Sequence, residues 1–166
     1  MKAASPSGAA DAAFVRPALA SEMDEVRRLF RAYQAWLRVD LCYQNFDAEL
    51  AGLPGAYAAP GGGLWLAVAE GAAVGAVALR PLDGDGSAEM KRLWVQPEAQ
   101  GLGLGRALID ACLDAARAAG YRRVKLDSLP RLEAAMALYE ACGFRPCPRY
   151  NDNALPEAVF LEKDLA

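Results

Sequence analysis

The sequence predicts an α/β fold on a mixed sheet, with an antiparallel front half and one βαβ unit around residues 88–128. Three observations carry this reading. Segments of strand and helix periodicity alternate along the chain. Two apolar runs, 64–69 and 73–79, flank a Glu70-Gly71 turn. A glycine-rich stretch separates a strand pattern at 89–95 from a helix pattern at 103–119.

Residues 1–12 are rich in Ala, Ser and Gly and offer little to bury, so a disordered tail is expected ahead of one domain over 13–166. A short first strand is expected at 14–19. Ser21 is placed to cap a helix, with Asp24 in capping-box position, and Met23, Val26, Leu29, Phe30, Tyr33 and Leu37 recur at helical spacing. A short helix around 46–50 precedes the Leu53-Pro54-Gly55 turn, and the run 59–63 (Ala-Pro-Gly-Gly-Gly) leads into the hairpin. A turn at 81–86 then precedes the strand that Pro97 stops. In the helix 103–119, Leu104, Leu108, Ala111, Cys112 and Ala115 form one side, and Arg106, Asp110, Asp114 and Arg117 the other. A strand at 123–127, a helix at 130–142 ended by Gly143, and closing strands near 144–147 and 158–162 complete the order.

Composition narrows the function classes. The 166 residues are 54% apolar and 23% charged, enough for one core. A net charge of −3 argues against a broad nucleic-acid footprint. The chain has no histidine, which excludes Ser-His-Asp, Cys-His and His-zinc chemistry. Cys42, Cys112, Cys142 and Cys147 form no C-x-x-C, so no metal is expected and the thiols read as reduced. The apolar stretch 64–79 is too short and too interrupted for a bilayer, and no apolar run follows Met1-Lys2. A cytoplasmic protein without membrane or nucleic-acid partners is the expectation, with a homodimer left open.

The most informative stretch is 93–106, Leu-Trp-Val-Gln-Pro-Glu-Ala-Gln-Gly-Leu-Gly-Leu-Gly-Arg. Glycines at alternate positions let backbone approach a ligand at the mouth of a helix whose first N–H groups are unpaired, an arrangement that favours a pyrophosphate. A helix start with flexible glycines and no ligand fits the same spacing. A dinucleotide fingerprint fails, because Gly101-x-Gly103 leads to Arg106 and Gly103-x-Gly105 to Leu108. A P-loop fails as well, because the position of its second glycine is Arg106.

Gln100-x-x-Gly103-x-Gly105, between a strand and a helix, resembles motif A of the GNAT superfamily, the acetyl-CoA-dependent N-acyltransferases. Leu138-Tyr139-Glu140-x-x-Gly143-Phe144, 33 residues on, resembles their motif B. Each motif is weak alone, but the pair at this separation is strong, and the resemblance runs from about residue 14 to 165. It implies a GNAT-like three-layer α/β fold with a mixed, mostly antiparallel sheet of six to seven strands, splayed at its βαβ unit to admit acetyl-CoA.

The resemblance also implies roles. Leu93, Trp94 and Val95 would present backbone to the acetyl and pantetheine groups, with the Leu93 N–H facing the acyl oxygen. Gly101, Leu102, Gly103, Leu104, Gly105 and Arg106 would hold the pyrophosphate, with Gln100 just before them shaping the turn. Where many members carry an asparagine that contacts pantetheine, this chain has Leu132. Tyr139 matches the acid that protonates the departing thiolate, though a core aromatic on the face of Ala135, Met136 and Cys142 fits the spacing too. Glu89 stands where one branch carries its basic glutamate, and Asp127 where others place an acidic base. A solvated edge residue or a partner of Lys91 or Arg92 explains Glu89 equally, and a strand-end carboxylate explains Asp127.

The acceptor is expected between Asp40, Gln44 and Asn45 on one side and Tyr150, Asn151 and Asn153 on the other, with Tyr33, Trp36 or Tyr43 as walls; ordinary loop polarity is the competing account. Cys147 lacks an activating partner and reads as an inert thiol. The resulting expectation is an N-acetyltransferase moving acetyl from acetyl-CoA to a primary amine of a small molecule. A protein lysine or N-terminal acetyltransferase and a non-catalytic acyl-CoA sensor are the alternatives.

Overall fold

The computed structural model describes residues 12–41, 45–82 and 84–165. Most of the expected tail, together with Cys42, Tyr43 and Gln44, lies outside them. Seven strands form one sheet: β1 (Phe14–Pro17), β2 (Gly63–Ala69), β3 (Ala72–Pro81), β4 (Ser87–Val95), β5 (Arg123–Ser128), β6 (Arg145–Pro146) and β7 (Val159–Asp164). Their order is β1-β2-β3-β4-β5-β7-β6, and only the β4–β5 pair is parallel. The α3 helix (Leu104–Ala118) makes that crossover, since parallel neighbours cannot be joined by a tight turn.

Alternation along the strands sends side chains to two separate cores, and three layers follow. Trp65, Ala67, Val77 and Leu79 meet Leu104, Leu108, Ile109 and Cys112 of α3 and Tyr139 of α4 (Glu133–Ala141). Leu64, Leu66, Ala76 and Ala78 meet Val26, Leu29 and Phe30 of α1 (Met23–Leu37) and Phe46 and Leu50 of α2 (Phe46–Ala51). Each fully buried side chain of this size contributes roughly 1.5–3 kcal/mol through removal from water.

Local details differ from expectation for identifiable reasons. Ser21 does not cap the first helix. A 3₁₀ turn, Ala20–Glu22, precedes α1, and the Glu22 carboxylate accepts the Leu19 N–H at 2.8 Å while pairing with Arg16 at 2.7 Å. The buried stripe of α3 runs through Ile109, Leu113 and Ala116, so Ala111 and Ala115 only flank it. The last helix starts at Glu133 rather than Pro130, because residues 130–131 form a turn and Leu132 is the N-cap.

Two irregularities of β4 create the cleft. Against β3 the register passes from Ala76↔Trp94 to Ala78↔Lys91, three steps against two, so β4 carries one extra residue. Arg92 there adopts φ 62, a left-handed conformation that is strained for a residue with a side chain. Its buried guanidinium donates to both Glu49 carboxylate oxygens at 3.1 and 3.2 Å and lies over the Phe46 ring, so α2 clamps the bulge. Against β5, pairing covers only Ser87↔Arg123 through Glu89↔Lys125. Beyond Glu89 the two strands part.

Candidate active site

The parting strands open into a cavity of about 710 Å³ running from the start of α3, past β4 and the β5–α4 turn, to the wall of α1. At the α3 end it is made of backbone. The first helical hydrogen bond is from the Ala107 N–H to Gly103 O at 3.1 Å, which leaves the N–H groups of Leu104, Gly105 and Arg106 outside the helical ladder. Gly101 and Gly103 have φ of +86° and +77°, and a Cβ built on either would meet nothing within 4 Å. The space in front of these amides is therefore open. Gln100 closes the base of the loop by donating from its Nε2 to Val95 O at 3.2 Å. A diphosphate suits this end: unpaired donors, the positive helix terminus and the Arg106 guanidinium all favour an anion. Nine of the ten residues expected here line the cavity. The exception is Leu102, 57% exposed at the loop tip.

Tyr139 is also on the wall. Its ring packs edge-on against Phe144, and no hydrogen bond to its hydroxyl is formed among the described residues. Burial, then the neighbouring Tyr33 and the Asp127 carboxylate, push its pKa well above the ordinary phenol value. The hydroxyl thus keeps its proton.

The opposite end is built from side chains. Asp127, at the end of β5, lines the cavity and accepts a hydrogen bond from Asn151 Nδ2 at 2.7 Å. The same amide nitrogen reaches Glu89 at 3.3 Å, so one asparagine ties two carboxylates together. Glu89 itself does not line the cavity. Its side chain is 1% exposed, paired with Arg80 at 2.7 Å and hydrogen-bonded by the Tyr150 hydroxyl at 2.7 Å. Burial pushes its pKa up, but the Lys91 ammonium, the Tyr150 hydroxyl and Arg80 together outweigh that and hold it below the usual carboxylate range.

Of the other residues expected around the acceptor, Tyr33, Trp36 and Asn153 line the cavity. Asp40 does not, and Asn45 instead starts α2 and borders a separate cavity of about 360 Å³ with Glu49 and Arg80. Trp36 stacks at a tilt on Trp94, 6.4 Å between centroids, so the Trp94 side chain belongs to this end although its backbone belongs to the other. Burial, then Glu162, pushes the Cys147 thiol up in pKa, consistent with an inert group.

Sequence reasoning missed Lys91, Leu129, Arg131 and Leu155 as lining residues and Arg80 as the partner of Glu89. For Lys91 a signal existed: strand period places it on the face of Glu89. Among the described residues, no group of three or more Cys, Asp or Glu is placed to hold a metal ion, and no helix is long and apolar enough to cross a membrane.

Comparison with known proteins places this cleft in context. An uncharacterised N-acetyltransferase of Schizosaccharomyces pombe is 36% identical over 149 residues, covering 89% of this chain and 91% of the relative. A GNAT-family acetyltransferase of Staphylococcus aureus superposes with a TM-score of 0.78 at 20% identity, over 93% of this chain and all of that one. A Salmonella typhimurium protein solved with its cofactor acetyl-CoA superposes with a TM-score of 0.73 at 21% identity, over 94% and 95% of the two chains. The acetyltransferase (GNAT) family model matches residues 23–144. With the splayed strands, the glycine loop and the tyrosine of α4 all in place, the chain belongs to the acetyltransferase (GNAT) family, the acetyl-CoA-dependent acyltransferases.

Proposed function

We propose that this protein transfers the acetyl group of acetyl-CoA to a primary amine of a small molecule, by direct attack of the amine while both substrates are bound. The observation that carries the proposal is the continuity of one cleft: unpaired backbone amides at one end, a buried neutral tyrosine on the wall, and a carboxylate at the other end. Residues 101–106 would hold the diphosphate, and the backbone of Leu93, Trp94 and Val95 the pantetheine and acyl portion. Bound there, acetyl-CoA supplies an electrophilic thioester.

The chain's own residues do the rest. The bulge takes Leu93 out of register with β3, and its N–H would serve as the donor for the acyl oxygen as negative charge builds on it. An amine of pKa near 10 arrives as an ammonium and must lose a proton before it can attack. Asp127 faces the cavity and orients that ammonium, whose proton leaves to solvent through the mouth. As the nitrogen–carbon bond forms and the carbon–sulfur bond breaks, Tyr139 gives its hydroxyl proton to the sulfur and recovers one from the nitrogen. Glu89, committed to Arg80, Tyr150 and Asn151, positions Asn151 and through it Asp127.

Calorimetric titration with acetyl-CoA is expected to give saturable heat, and a thiol-release assay with small amines to give turnover. The absence of any saturable binding would overturn the proposal.

A further inference from the structure

Lys91 is a feature of the cleft that acetyl transfer does not by itself require. Its side chain is only 10% exposed, yet it lines the cavity, next to the bulge and close to Asp127. It forms no hydrogen bond among the described residues. The nearest carboxylate, Glu89, is 3.9 Å away and already carries Arg80 at 2.7 Å. Glu89 is thus shared between two cations, the closer being Arg80, and Lys91 lines the cavity with none of its three donors used in a hydrogen bond among the described residues. Burial, then Arg92 and Arg80 against the opposing pull of Glu89 and Asp127, leaves the Lys91 pKa below the ordinary lysine value. A buried cation without full compensation is costly, and an anion in the cavity would relieve it.

Asp127 is the mirror case. It accepts a neutral amide from Asn151, and no cation lies within ion-pair distance of it among the described residues. The cavity therefore has on its wall a buried cation whose one ion pair is long and shared, and an anion with no ion pair among the described residues. Of the other cations lining the cavity, Arg92 is paired with Glu49, Arg131 is exposed and donates to the Leu37 carbonyl, and Arg106 stands at the α3 end beside Asp110 at 3.5 Å.

We infer that the acceptor is an amino acid, a small molecule carrying a carboxylate beside its amine, with Lys91 taking the carboxylate and Asp127 the amine. This deepens the acetyl-transfer reading and rests on it. A polyamine or simple alkylamine would bring a second positive charge or nothing to Lys91, and would leave that ammonium unanswered. Tyr33, Trp36 and Leu155 then bound the space for the amino-acid side chain.

The test compares acceptors that differ only in the carboxylate: glycine, β-alanine, 4-aminobutyrate and the α-amino acids, each beside its carboxamide. The carboxamides have the less basic amines, so amine reactivity alone favours them at neutral pH. The expected result is a kcat/KM at least about tenfold higher for the best amino acid than for its carboxamide, expressed mainly in KM. Lys91→Met should erase that preference by raising KM for the acid while leaving KM for the carboxamide within about twofold, and Lys91→Arg should restore it in part. Acetyl-CoA affinity, measured by calorimetry, should be unchanged in both variants and reports that they are folded. Carboxamides used as well as acids, or a preference that survives Lys91→Met, overturns the inference. So does saturable acetyl-CoA binding with no amino acid turned over, an outcome that leaves the cofactor site standing; loss of acetyl-CoA binding by the wild type overturns both.

Discussion

At its α3 end the cleft presents backbone: N–H groups of residues 101–106, with glycines at φ +86° and +77° and open space in front of them. At its other end it presents side chains drawn from β4, β5 and the segment before β7, namely Lys91, Asp127 and Asn153, with Asn151 behind Asp127. A backbone site recognises a group common to every reaction of the family, and it depends on conformation more than on residue identity. A side-chain site recognises what is particular to one acceptor, and its members come from separate elements. Substitutions at the two ends should therefore fail differently, one through lost space and geometry, the other through lost charge.

The largest effect is expected from Gly103→Glu. It places a side chain at φ +77° and a negative charge beside the N–H groups at the start of α3. Acetyl-CoA affinity should fall by about 1,000-fold or more, or roughly 4 kcal/mol, by calorimetry, while the far-UV circular dichroism remains that of the wild type. Retained affinity would mean that the α3 end does not hold the diphosphate.

Next comes Glu89, whose loss should register as stability. Glu89→Ala leaves Arg80 and Lys91 facing each other without their shared carboxylate and removes the anchor of Tyr150 and Asn151. Breaking a buried pair from one side costs about 3 kcal/mol, to be read from the denaturant midpoint at constant m-value. The folded pKa of Glu89 is depressed, so its contribution is complete above the unfolded carboxylate value of about 4.3 and fades as pH falls through the lower folded value. Acidification should accordingly narrow the gap between wild type and Glu89→Gln. A constant gap down to the acid transition would remove the ionic account.

Tyr139→Phe should act on rate alone. The ring and its edge contact with Phe144 remain, and only the hydroxyl is lost. A general acid contributes on the order of 100-fold, so kcat should drop by about that factor, near 2.7 kcal/mol, with acetyl-CoA affinity unchanged. Full activity would assign the proton to a water instead.

The same contrast explains what the sequence could reveal. The hairpin, the βαβ unit and the glycine loop ahead of α3 are written in local periodicity and glycine spacing, and all three stand where the residues indicated. The Ser21 cap was not legible, because Ser21 lies inside a 3₁₀ turn that Glu22 fastens from behind, its carboxylate accepting the Leu19 N–H and meeting Arg16. The acceptor end was legible only in part. Asn151 was anticipated, but its partners Glu89 and Asp127 lie on different strands, and nothing local predicts that one amide bridges both. Asn45 turned away because α2 is committed to the bulge: Glu49 must face Arg92, and this directs the start of the helix towards the smaller cavity. Side-chain sites assembled across elements need the fold first.

The smallest expected effect isolates the backbone claim. Leu102 sits within the glycine loop but is 57% exposed and lines no part of the cavity. If this end recognises its ligand through main-chain N–H groups, Leu102→Ala should leave acetyl-CoA affinity within about twofold, inside the range of ordinary surface substitutions. The other loop positions do not offer so clean a test, since glycine changes alter conformation and Arg106 carries charge. A substantial loss at Leu102 would show that a side chain at the loop tip folds over the ligand on binding. The two ends of the cleft would then differ less in kind than their geometry implies, and the diphosphate would be held by a cover as well as a floor.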